Sequence, residues 1–138
     1  MCNALCLGCQ RVDPNTFNSV LPSIPKKEII AVDTIRKLIN SPKMSTIEEI
    51  EFCGTIDEPL MHPNFMEIID VMYEANPKLE IKIHTNASLR TIEFWKELAH
   101  KLSKFNKHKV LFGIDGLVDT HEIYRQQIYY LLLHHLYG

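Results

Sequence analysis

Residues 46–54 read Thr46-Ile47-Glu48-Glu49-Ile50-Glu51-Phe52-Cys53-Gly54. Ile50 and Phe52 alternate with Glu49 and Glu51, the period of a strand over residues 46–53, and Gly54 ends the run. Downstream, residues 63–76 predict a helix. Pro63 suits a first helical position, Phe65, Ile69 and Met72 recur at helical spacing, and Pro77 follows the stop. Residues 79–84 predict a second strand. Residues 91–104 predict another helix, with Ile92, Trp95, Ala99 and Leu102 on one stripe and basic residues near its end. Residues 109–115 predict a third strand, closed by Gly116, and helix is expected from residue 119 onward. Upstream, residues 28–40 predict a helix, because Val32, Ile35 and Ile39 share a face and Ser41-Pro42 stops it. Residues 10–27 carry Pro14, Pro22 and Pro25 and read as a loop.

Strands that alternate with helices argue for an α/β fold with a parallel sheet built from right-handed crossovers. Ligands in such sheets sit at the C-terminal ends of the strands. Residues 54–62, 85–88 and 115–120 fall there, so these three loops are expected on one face.

The 138 residues suit one domain, and 46% apolar and 23% charged residues are ordinary for a globular chain. A formal net charge of −2 without a basic block gives no electrostatic reason to expect nucleic acid. Met1-Cys2-Asn3 has neither the charged nor the apolar region of a signal peptide, and the apolar run 128–133 is too short to span a bilayer. A cytoplasmic protein without a membrane partner is the expectation.

Of the four cysteines, three fall within the first nine residues. A disulfide scaffold would spread them along the chain, so clustered, reduced thiols point to metal. Cys2-Asn3-Ala4-Leu5-Cys6-Leu7-Gly8-Cys9 is a C-x3-C-x2-C array. Thiolates are soft ligands that suit iron–sulfur clusters or zinc. Three local cysteines leave one iron of a cubane cluster without a protein ligand, and an open metal position marks a site that binds something else. Structural zinc remains open on spacing alone, with Cys53 or a histidine as fourth ligand.

The array resembles the cluster loop of radical S-adenosylmethionine (SAM) enzymes, and Asn3 and Arg11 look typical of that loop. The resemblance implies that Cys2, Cys6 and Cys9 hold a 4Fe-4S cluster whose free iron chelates SAM, and that the reduced cluster cleaves SAM to a 5′-deoxyadenosyl radical that abstracts hydrogen from a substrate. Gly8 departs from the pattern, since many members place an aromatic residue there. Phe52-Cys53-Gly54-Thr55-Ile56-Asp57-Glu58-Pro59-Leu60-Met61-His62-Pro63 resembles the family segment often written Gly-Gly-Glu-Pro-Leu then His-Pro, which binds the SAM amino group largely through backbone. Thr55-Ile56-Asp57 departs from the double glycine. Ile83-His84-Thr85-Asn86-Ala87-Ser88 resembles the third-strand end, commonly Thr-Asn-Gly, and Phe112-Gly113-Ile114-Asp115-Gly116 with Thr120-His121 and Tyr124-Arg125 resembles the fourth. On this resemblance Gly54, Thr55, Asp57, Glu58, Thr85, Asn86 and Asp115 are the cofactor-binding candidates. No side chain stands out as catalytic in its own right. Read without the family, Cys53 is expected to be a buried strand cysteine, His84 a structural strand residue and Arg125 a solvated helix residue.

The resemblance covers Cys2 to about Arg125, so residues 1–125 are read as a partial radical SAM core and 126–138 as a divergent tail. It implies a strand before the cysteine loop and further strands after Arg125. The expected fold is therefore a partial parallel (β/α) barrel, truncated at both ends, that lacks the first strand and the C-terminal half. It further implies an external electron donor. The Asp57-Glu58-Pro59-Leu60 and Ile114-Asp115-Gly116 segments look like members that carry an auxiliary-cluster domain and modify peptides or proteins, which makes that class one candidate substrate. Two alternatives stand beside an active enzyme: a non-catalytic zinc module, and an inactive remnant that activity would return to once an upstream strand and a downstream half-barrel are restored.

Overall fold

The computed structural model describes residues 2–24, 28–54, 56–117 and 120–126. The chain is a small mixed α/β domain in which strands and helices alternate. The elements are β1 (Leu5–Cys6), α1 (Val32–Ile39), β2 (Glu49–Phe52), α2 (Phe65–Ala75), β3 (Glu80–Thr85), α3 (Ile92–Leu102), β4 (Lys107–Phe112), α4 (His121–Tyr124) and β5 (Arg125–Gln126). β2, β3 and β4 form a parallel sheet in sequence order, with Phe52 beside Ile83 and Thr85 beside Phe112. β1 and β5 pair antiparallel as a separate two-residue ladder. Barrel closure is not seen among the described residues, and no described helix is long and apolar enough to cross a membrane.

β3 sets the two faces of the sheet. Ile81, Ile83 and Thr85 are buried on one face, while Glu80, Lys82 and His84 are only half-buried on the other. The buried side packs with Phe65, Ile69, Leu98 and Leu102 from the helices. On the opposite side, Lys82 pairs with Glu49 and His84 with Glu51 across β2 and β3. Parallel sheets are ordinarily covered on both faces. Here the described helices leave one face polar and partly open.

Several expectations are corrected in detail. α1 begins at Val32 rather than residue 28, because Ala31 is extended and the Ile30 carbonyl is taken by His62 Nε2 at 2.8 Å. β2 is limited to the four residues that face Glu80–Ile83. β4 starts at Lys107 and stops before Gly113, whose N–H donates to the Thr85 carbonyl at 2.8 Å. α3 buries Leu98 and Leu102 and leaves Ala99 exposed, so its inner face is turned from the expected stripe. Thr91 caps that helix by accepting from the Phe94 N–H at 3.3 Å. The helix expected from residue 119 is four residues long and gives way to β5. Residues 127–138, and with them nearly all of the expected tail, lie outside the described residues.

Candidate metal and cofactor site

The cysteine loop is folded on itself by short-range bonds. Cys9 N–H donates to the Cys6 carbonyl at 3.0 Å and Val12 N–H to the Cys9 carbonyl at 2.9 Å. Ala4 and Leu5 are buried, and the buried guanidinium of Arg11 donates to the Ala4 carbonyl. These contacts leave all three cysteines half-buried and free of disulfides. Leu7 N–H then reaches the Tyr124 carbonyl at 3.2 Å, extending the ladder in which Cys6 faces Arg125. The Tyr124 hydroxyl lies 3.2 Å from the point where a side chain on Gly8 would begin, so a ring from α4 stands beside the position that lacks an aromatic residue of its own.

The loop is fastened to the end of β3 by amides. Asn86 Nδ2 donates to Asn3 Oδ1 at 2.9 Å and to Cys2 Sγ at 3.7 Å, and Asn3 Nδ2 donates to Ser88 Oγ at 2.8 Å. Asn86 Oδ1 in turn accepts from Ser88 N–H and Ser88 Oγ, which holds the turn around Ala87. Glu58 is 4% exposed, and both its oxygens are engaged: one accepts from Leu60 N–H at 3.2 Å and the other from Asn86 N–H at 2.7 Å. A buried carboxylate with two backbone donors is a satisfied group that locks the loop after β2 onto the end of β3. Gly54 has a tight turn beside it: a Cβ there would lie 2.4 Å from the Asp57 carbonyl oxygen.

Cys2, Cys6 and Cys9 line one cavity of about 480 Å³ together with Gly54, Asp57, Glu58, Thr85 and Asn86. Asp115 does not line it but is ion-paired with Arg125, which does. Thr55 lies outside the described residues. The cavity therefore gathers the loop that follows β2, the end of β3 and the residues after β4, as expected for the C-terminal edge of a parallel sheet. Burial pushes the Cys6 thiol above its ordinary pKa; Arg125 opposes that shift, while the neighbouring Cys2, Cys9 and Asp115 add to it. Among the described residues, no three His, Cys, Asp or Glu side chains converge at metal-ligand geometry; the thiols share a cavity wall.

Cys53 and Arg125 differ from expectation, whereas His84 is the strand residue it was expected to be. Cys53 is exposed and lines the cavity, because Phe52 turns its ring toward Phe65 (centroids 5.3 Å apart) and the next residue of an extended chain points the other way. His84 is half-buried on the polar face, paired with Glu51, and also borders the cavity. Arg125 is no solvated helix residue: it follows α4, pairs with the cysteine strand and lies over Gly113. The resemblance included Arg125, but its place depends on a ladder between residues 5–6 and 125–126 that no local pattern announces. No protein-family model matches this chain, and no curated protein matches it.

Proposed function

We propose that the chain is a radical SAM core segment in which Cys2, Cys6 and Cys9 hold a 4Fe-4S cluster and the adjoining cavity takes S-adenosylmethionine. The observation that carries this reading is the shared wall: three cysteine side chains of one short loop, none in a disulfide, border the same space as the C-terminal ends of parallel strands. The donor set fits the group, since soft thiolates suit iron–sulfur ligation and three of them leave one iron open. When bound, the cluster and SAM supply reductive cleavage to a 5′-deoxyadenosyl radical able to abstract hydrogen from a substrate, with electrons from an external donor.

The chain's own residues bind and orient. Asn86 and Asn3 tie the cysteine loop to β3, and Glu58 fixes the turn that carries Gly54 and Asp57. Gly54, Thr55, Asp57, Glu58, Thr85 and Asn86 form the coenzyme side in this reading, with Asp115 acting through Arg125. The fold is read as part of a (β/α) barrel, the enzyme as cytoplasmic, and the substrate as a peptide or protein.

The test is anaerobic reconstitution with iron and sulfide, followed by reductive assay with SAM. The wild type is expected to take up iron and release 5′-deoxyadenosine, and Cys6→Ala to do neither. Equal iron in both proteins with no 5′-deoxyadenosine from either would sink the reading. Cys53 on the same wall favours a second one, a zinc site of four thiolates. Stoichiometric zinc without iron in aerobically purified protein would select it.

A further inference from the structure

The β1–β5 ladder is only two residues long, yet it joins the two ends of the described chain at the cysteine loop. Cys6 and Arg125 stand directly opposite each other in it, and residues opposite in an antiparallel pair send their side chains to the same face. Both border the same cavity. The Arg125 side chain is only 19% exposed and is ion-paired with Asp115. Its course is built into the neighbouring strand end, because a Cβ on Gly113 would lie 2.7 Å from Arg125 Nη2. The guanidinium thus occupies the space that a side chain at position 113 would fill. A missing side chain, an acidic partner and a two-residue ladder together bring one cation beside Cys6, on the cavity that all three cysteines line.

We infer that Arg125 is the counter-charge of the cysteine loop, a positioning residue seated over Gly113 and held by Asp115 that sets the reduction potential of the metal centre. The inference rests on the cluster reading above. Reducing an iron–sulfur cluster adds negative charge, and net charge, hydrogen bonds and solvent exposure govern its potential. A cation withdrawn from water beside a thiolate ligand stabilises the reduced form more than the oxidised one. Asp115 is the opposing charge, and its carboxylate both holds Arg125 and offsets it. The pair therefore acts as a fixed local setting of charge.

The experiment is a redox titration, followed by electron paramagnetic resonance, of the full chain reconstituted anaerobically with ferrous iron and sulfide and without SAM. Relative to wild type, Arg125→Met is expected to shift the midpoint negative, Asp115→Asn to shift it positive, and Arg125→Lys to stay near the wild-type value. Gly113→Ala keeps every charge but crowds the guanidinium aside, and a negative shift is expected. A merely structural role would lower iron content in these variants without moving their midpoints in opposite directions. Coincident midpoints, or shifts of one sign for Arg125→Met and Asp115→Asn, overturn the inference while leaving the cluster reading intact. Should Arg125→Met fail to hold iron, Asp115→Asn and Gly113→Ala decide, since both retain Arg125. Failure of the wild type itself to take up iron removes the cluster reading and this inference with it.

Discussion

Around Ile81 and Ile83 the chain is held by apolar area: both are fully buried and pack with Phe65, Ile69 and Leu98. Around the cysteines it is held by two asparagines, one buried carboxylate and a two-residue ladder. The first region draws on side chains from α2, β3 and α3 at once, so its cohesion is spread over many contacts. The second depends on a few directional bonds, each made by one residue. The difference teaches that the sheet and helices do not need the cysteine loop, whereas the loop needs the ends of the strands. A site held this way can adjust to a bound group without disturbing the core.

The comparison breaks most directly at Phe65. Its ring is 1% exposed and meets Phe52 edge-on. Phe65→Ala removes a buried aromatic side chain and leaves a cavity, at a cost of about 3–5 kcal/mol. Set against a domain stability of roughly 5–15 kcal/mol, that is a large loss. Denaturant titration should show a much lower midpoint, with core and loop unfolding together. A midpoint within the error of wild type would mean that the core is not what holds the fold.

Asn86→Ala sharpens the comparison from the other side. It removes the donor to Asn3 and Cys2 and the acceptor that holds Ser88, but keeps the backbone N–H that Glu58 binds. Lost hydrogen bonds with a buried partner cost about 1–3 kcal/mol. Hydrogen exchange should quicken over residues 2–9 and 86–88 while α2 and β3 keep their protection. Equal loss of protection in α2 would show that loop and core are one cooperative unit after all.

How far the sequence could be read follows the same division. The order of β2, α2, β3, α3 and β4 was legible because their periodicity is local, and the buried set Phe65, Ile69 and Met72 follows from helical spacing alone. α3 misled because two stripes compete. Ile92, Trp95, Ala99 and Leu102 share one spacing, Phe94, Leu98 and Leu102 share another, and the second buries the larger apolar area. Of the candidate site, the three cysteines, Gly54, Asp57, Glu58, Thr85 and Asn86 all border the cavity. Glu58 is a cofactor-binding candidate on the resemblance, and its oxygens are occupied by two backbone amides, one of them 28 residues away. Cys53 was expected buried and Arg125 solvated, and both expectations fail because each position depends on a partner far along the chain: Phe65 turns Phe52, and β1 receives β5. Non-local pairs of this kind leave no periodic trace.

The smallest expected effect lies at the junction of the two regions. Ala87 is buried and holds φ 61°, in the left-handed region that favours glycine. Its conformation is imposed from both sides, since its own N–H donates to Thr85 Oγ1 at 3.1 Å and Asn86 Oδ1 binds the following Ser88. Glycine at 87 would relieve steric strain of about 1–2 kcal/mol. Against that stand the lost burial of one methyl group, about 0.8 kcal/mol, and the greater backbone freedom of an unfolded glycine. The terms nearly cancel, so Ala87→Gly is expected to move the denaturation midpoint little, within about 1 kcal/mol, and in the stabilising direction if strain dominates. Ala87→Val tests the same point with the opposite sign, because a β-branched side chain is poorly accommodated at positive φ. It should destabilise the loop and quicken exchange at Asn86 and Ser88. If valine were tolerated as well as glycine, the turn would not be constrained by the bonds from Thr85 and Asn86, and the amide tether would be weaker than the buried core by more than these contacts suggest.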